Sequence, residues 1–211
     1  MMRKTCHISG DSDEAANMLR FVFSPIDAAP SGTTSGDAAG ETANETAYPG
    51  GQLTPDLAEK LPGEDIWLIN RRAYVEALAA QADINAPDDL AARVEALLRQ
   101  QLASLLSLAK KAGDLVSGFG KTEAGLKSAR ICLLIAASDG AADGRRKLEA
   151  RAKAMGIGQC ALLNTEELGM ALGQSNVIHA GLTDVGWAER IERAGARLAA
   201  YLGDTGQEKC E

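Results

Sequence analysis

The sequence predicts an α/β protein in two parts. The first is an α+β N-terminal domain with a small sheet; the second is a C-terminal three-layer α/β/α sandwich. Three observations predict this. From residue 102 onward, apolar strand-like runs alternate with helical periodicities, the pattern of a layered α/β domain. The polar Arg99-Gln100-Gln101 interrupts a long helical pattern and marks a junction. Upstream, short strand signals and one helix flank a segment of different composition, residues 27–51. The 211 residues therefore divide into a domain over 1–98, a domain over 99–203 and a polar tail over 204–211.

In chain order, residues 4–9 predict a short strand stopped by Gly10, and Asp11-Ser12-Asp13-Glu14 signals a brief helical turn. Residues 19–23 alternate as a strand does and end at Ser24-Pro25. Residues 27–51 are rich in Ala, Gly, Ser, Thr and acids and lack core-forming side chains. Such a segment cannot bury enough apolar surface to offset its ordering entropy, so a mobile loop is expected. Pro55-Asp56-Leu57 suggests another helical turn, and residues 66–69 a buried strand. Asn70 is the expected N-cap of a helix over 71–82. Arg71 and Arg72 lie at that helix's positive end, where an anionic partner would relieve them.

Pro87-Asp88-Asp89 opens a long helix whose leucines recur at helical spacing up to Gly113, with Lys110 and Lys111 complementing its C-terminal dipole. Then come Leu115-Val116, a helix over 121–128 and a continuous apolar run over 131–137, typical of a strand covered on both faces. Ser138 or Asp139 is expected to cap a helix over 142–155, ending at Gly156. Residues 160–163 read as a strand. Asn164-Thr165-Glu166-Glu167 reads as a capping-box helix start, residues 177–182 as a strand and 185–201 as an amphipathic helix.

The net charge is −7, which taken whole argues against a nucleic-acid partner. Its distribution reverses the argument. Residues 1–99 hold 8 Lys/Arg against 16 Asp/Glu, whereas residues 110–153 hold 10 against 5. A local basic face can bind phosphates on an acidic protein. Aromatic residues make up 4% of the chain, so stacking of bases is not the expected main mode of binding. No apolar run is long enough for a membrane span, and the first residues lack a signal peptide's apolar core, so a cytoplasmic protein is expected. Cys6, Cys132, Cys160 and Cys210 form no CxxC pair and read as reduced thiols. With His7 and His179 the only histidines, neither a metal site nor a catalytic set is expected, and no cofactor is implied.

Gly120-Lys121-Thr122 resembles the end of a P-loop. That motif needs a glycine at position 115, where Leu115 stands, and a strand before it, where a helix is expected. The underlying physics still applies: Gly118 and Gly120 leave backbone N–H groups unscreened, and a helix start offers unpaired N–H groups and a positive dipole end. Lys121 adds charge. Ser138-Asp139-Gly140 precedes a second helix start, with Arg145-Arg146-Lys147 following. If both starts lie at one end of the sheet, they form one anion-binding rim.

Residues 102–202 resemble the kink-turn RNA-binding superfamily of small ribosomal proteins, particularly its bacterial members. The resemblance rests on LLSLAKKAGDLVSG at 105–118, LLIAASDGA at 133–141, the following RRKL, and ELGMALG at 167–173. It implies an α/β/α sandwich with RNA at the helix starts. The family's strongest binders carry Gly-x-Asn-Glu and then Thr-Lys. Here Gly118 matches the glycine, but Gly120, Lys121, Glu123 and Ala124 replace the other four. Residues 3–82 resemble the YlxR family through Arg3, Cys6, Ser9-Gly10, Leu19-Arg20-Phe21, Asp56 and Leu61-Pro62-Gly63. That resemblance implies nucleic-acid binding and a link to transcription termination. The usual Gly-Arg-Gly-Ala turn is here Gly63-Glu64-Asp65-Ile66.

The expectation is a non-enzymatic protein that binds structured RNA, with the ribosome or transcription complex as its setting and no membrane partner. Its candidate contacts are Lys110, Lys111, Gly118, Phe119, Gly120, Lys121, Lys127, Ser138, Asp139, Arg145, Arg146 and Lys147. Arg3, Lys4, Arg20, Arg71 and Arg72 are secondary candidates in the first domain. The alternative is a protein-interaction module whose acidic first domain docks a basic ribosomal or transcription partner.

Overall fold

The structure is a computed structural model, and it describes residues 2–24 and 51–203. The expected mobile loop, apart from Gly51, and the polar tail lie outside the described residues. The chain divides into two compact units, Met1–Val94 and Glu95–Glu211.

In the first unit, β1 (Arg3–Thr5) and β2 (Ser12–Glu14) form an antiparallel pair, and a 3₁₀ turn (Ala15–Asn17) follows. The expected strand over 4–9 is thus cut short, and residues 12–14 are strand rather than a helix start. The polar Ser-Asp-Glu run has little strand propensity of its own. Pairing overrides it: the Thr5 and Ser12 hydroxyls meet at 3.0 Å, and Cys6 N donates to Asp11 O across the turn.

The strand β3 (Met18–Ser24) is the centre of a three-stranded antiparallel sheet, flanked by β4 (Gln52–Pro55) and β5 (Asp65–Ile69). Met18, Leu19, Phe21, Val22 and Phe23 are all buried, so β3 is a core strand rather than a half-buried one. Pro55 ends β4, whose buried Leu53 donates its N–H to Asn85 O at 2.8 Å, and the expected turn follows directly, closed by Glu59 N–H to Asp56 O at 3.2 Å. The helix α1 (Arg72–Ala79) is shorter than expected. Its N-cap is Arg71, extended at φ −143°, with no side-chain cap, and Asn70 is buried before it.

The helix α2 (Leu90–Ala112) begins in the first unit and continues into the second, where it leads into β6 (Leu115–Ser117), α3 (Phe119–Lys127), β7 (Leu133–Ala136), α4 (Ala142–Ala154) and β8 (Gly158–Cys160). Then follow α5 (Thr165–Leu172), β9 (His179–Leu182) and α6 (Val185–Leu202). The sheet order is β6-β9-β7-β8, with only β7 and β8 parallel. On one face, Leu126 of α3 and Leu148 and Ala152 of α4 bury against Ile131 and Leu134. On the other, α6 brings Gly195 against Cys160. This is the three-layer α/β/α arrangement the sequence predicts. Each fully buried leucine contributes about 2 kcal/mol through loss of apolar surface from water.

The register decides where the helices begin. Ser117 pairs with Ala180, and Ala136 with His179. The C-terminal ends of β6 and β7 therefore lie beside the N-terminal end of β9, and β8 runs parallel to β7. The helices α3, α4 and α5 all start at this one end of the sheet.

Candidate nucleic-acid interface

The start of α3 is built by its sequence. Gly118 takes φ +96°, a conformation that L side chains rarely adopt, and turns the chain out of β6. Its N–H donates to His179 O at 2.8 Å, and its carbonyl accepts from both the N–H and the hydroxyl of Thr122. Helix α3 begins at Phe119, two residues earlier than expected, so Gly120 and Lys121 lie inside its first turn. The element before it is the strand β6 and not a helix. No side chain caps α3, and its first turn carries no acid. Its leading N–H groups and positive dipole end have no side-chain acceptor at the cap.

The start of α4 differs from expectation. Neither Ser138 nor Asp139 caps it; the N-cap is Ala141, without a side-chain bond. The Asp139 carboxylate turns instead to the next helix, accepting from the N–H of Thr165 at 2.8 Å and its hydroxyl at 2.7 Å. These bonds hold the Asp139 carboxyl below its ordinary pKa. Helix α5 therefore has two anchors, since Asn164 and Glu167 also complete the expected capping box. Ser138 is exposed, and its carbonyl accepts from Arg145 at 2.9 Å.

The predicted basic residues separate into those already engaged and those open. Lys110 donates to Leu172 O at the end of α5. Lys127 and Lys147 both pair with Glu123, at 3.3 and 2.9 Å, and hold its carboxyl below the usual range. Lys147 also stands over the Phe119 ring, 5.5 Å from its centre. Arg145 lies 3.2 Å from Glu149. Lys111, Lys121 and Arg146 are exposed and have no ion-pair partner among the described residues. Phe119 is 37% exposed, with His179 edge-on beneath it. Sequence reasoning missed Glu123, Thr165 and His179. Only His179 left a signal, as a lone titratable residue in an apolar strand.

In the first unit, Arg20 is enclosed. It pairs with Asp56, lies 3.1 Å from Asp65 and donates to Leu61 O. Arg3 donates to Ser12 O, Lys4 stands 4.9 Å over the Trp67 ring, and Arg72 pairs with Glu76. Arg71 is exposed. Among the described residues no cluster of His, Cys, Asp or Glu could hold a metal ion, and no helix is long and apolar enough to cross a membrane.

The region that carries this rim is similar to a known class of proteins. Residues 100–191 match the model of the Ribosomal protein L7Ae/L30e/S12e/Gadd45 family, a match that covers less than half of the chain. Among solved structures, one of a protein with unknown function from Bacillus halodurans is 24% identical with a TM-score of 0.43, covering 46% of this chain and 96% of that one. The 15.5kD RNA binding protein of Giardia lamblia is 17% identical with a TM-score of 0.41, covering 49% of this chain and 89% of that one. No curated protein matches the chain.

Proposed function

We propose that this chain is a non-catalytic, cytoplasmic RNA-binding protein that grips the phosphate backbone at the end of the sheet where α3 and α4 begin. One observation carries the reading. Two helix starts without side-chain caps open at the same sheet end, with Lys121 in the first turn of one and Arg145, Arg146 and Lys147 on the other. Helix N-termini bind anions, and lysine and arginine add charge that attracts the backbone whatever its sequence. The match of residues 100–191 to a ribosomal-protein family supports it. Gly120 and Lys121 stand where the kink-turn binders carry Asn and Glu, so the expected target is structured RNA read through its phosphates. The first unit, with its YlxR-like motifs, is the part we assign to a transcription or translation partner.

The test is RNA binding by the Lys121→Glu, Arg145→Glu, Arg146→Glu triple variant. A loss of more than about tenfold at low salt is expected, because three positive charges beside the two helix starts are reversed. Parent-like binding would place the interface elsewhere.

A further inference from the structure

We propose that the RNA-binding surface does not end at the helix starts but continues down the seam between α3 and α4, where Arg130, Arg151 and Lys153 hold a second stretch of the RNA phosphate backbone. The inference rests on the RNA-phosphate reading above and extends it to the far ends of the two helices.

Both helices leave the same end of the sheet, and their packing keeps them together to the far end. Leu126, in the last turn of α3, and Ile131, just beyond it, share one buried cluster with Leu148 and Ala152 of α4. Arg130 precedes Ile131, and Arg151 and Lys153 flank Ala152, so all three cations stand around one end of that cluster. Helical spacing gives their direction. Lys147 lies on the α3 flank of α4, 2.9 Å from Glu123. Residues four apart share a helix face, so Arg151 continues that flank one turn further on. Lys127 reaches the same Glu123 from the α3 side, at 3.3 Å. Arg146 and Lys153, seven apart and both exposed, line the outer face of α4.

Arg130 and Lys153 are exposed and Arg151 is half-buried, and none of the three has an ion-pair partner among the described residues. Cations at a helix C-terminus complement the dipole, but each end carries only about half a negative charge. Two ends therefore leave most of three positive charges uncompensated. Residues 119–154 hold 8 Lys/Arg against 4 Asp/Glu, in a chain of net charge −7. Of those acids, Glu123 and Glu149 are already held by cations of the same two helices. The exposed Ala124, Ala150 and Ala154 are too short to keep a backbone strand off the surface. The 13 residues of α4 span about 20 Å. At roughly 3.4 Å per nucleotide of a stacked strand, the seam takes on the order of six nucleotides.

The experiment measures binding of the full chain to a hairpin RNA with a stem of about 16 base pairs, long enough to cover the seam, across salt. The variant is Arg130→Gln, Arg151→Gln, Lys153→Gln. The control, Lys60→Gln, Arg190→Gln, Arg193→Gln, removes the same charge at exposed positions off the seam. The seam variant should reduce the slope of log affinity against log salt by about two to three and lose more than about tenfold in affinity at low salt. The control should stay within about twofold of the parent. If the seam variant unfolds earlier in urea than the parent, the single Lys153→Gln variant, at an exposed side chain, replaces it and should reduce the slope by about 0.7 to 0.9. Equal losses in seam variant and control would reduce the effect to net charge and overturn the proposal. Parent-like binding by the seam variant would also overturn it, as it would if the seam served an acidic protein instead. If charge reversal at Lys121, Arg145 and Arg146 still weakens binding in that case, the reading at the helix starts stands without the seam; if it does not, that reading fails as well.

Discussion

The carboxylate of Asp139, in the loop before α4, holds both the N–H and the hydroxyl of Thr165, the first residue of α5, 26 residues further on. One aspartate thereby ties two helix starts together. Asp139→Ala should speed amide hydrogen exchange at Thr165 more than at the α4 start. The same loosening should appear in the parent on acidification. The folded carboxyl titrates below its ordinary value, so the tie is present above the ordinary carboxylate range and is lost as pH falls through the lowered pKa.

The Arg20–Asp56 pair makes a second prediction. Asp56 is buried and accepts from the N–H groups of Lys60 and Leu61 as well as from Arg20. Burial raises its pKa, but these donors and the guanidinium charge outweigh burial and lower it. Asp56→Ala leaves the enclosed Arg20 with Asp65 as its remaining carboxylate, and should destabilise the first unit by about 3 kcal/mol in urea unfolding. In the parent, the stability this carboxylate supplies is complete above the ordinary aspartate pKa and disappears as pH falls through the folded value.

Leu148 connects the core to the rim. It is fully buried in α4 with Leu126, Ile131 and Leu134. Leu148→Ala should cost about 3 kcal/mol in stability. Because this packing holds α3 against α4, RNA affinity should fall although no cation changes. Urea melts together with filter binding check both.

Salt separates the open cations from the engaged ones. Replacing Lys121, a proposed phosphate contact, by alanine should reduce the slope of log RNA affinity against log salt by about 0.7 to 0.9. Lys110→Ala should leave that slope unchanged and lower stability instead, since the ammonium is bonded to Leu172 O at the end of α5.

Much of the second unit was legible because its signals are local. The run over 131–137 contains β7, Asn164 and Glu167 form their capping box, and Gly113 and Gly173 end their helices. What escaped depends on residues distant in sequence. Asp139 looked like a cap for the helix that follows it, but Thr165 lies within reach once β7 and β8 pair. The strand at residues 52–55 exists because β3 and Asn85 O take its backbone bonds, and only Leu53 hints at it. Among the rim cations, composition counted charges but could not show that Glu123 holds two of them.

The order of the sheet has a further consequence. The proposed phosphate-binding residues follow β6 and β7, while the packing that holds those strands lies further along each helix, at Leu126 and Leu148. Recognition and stability are thereby assigned to different stretches of chain. A library varied only at the exposed positions 121, 138 and 146 would change the groups presented at this end of the sheet while leaving the Asp139–Thr165 tie and the buried packing in place.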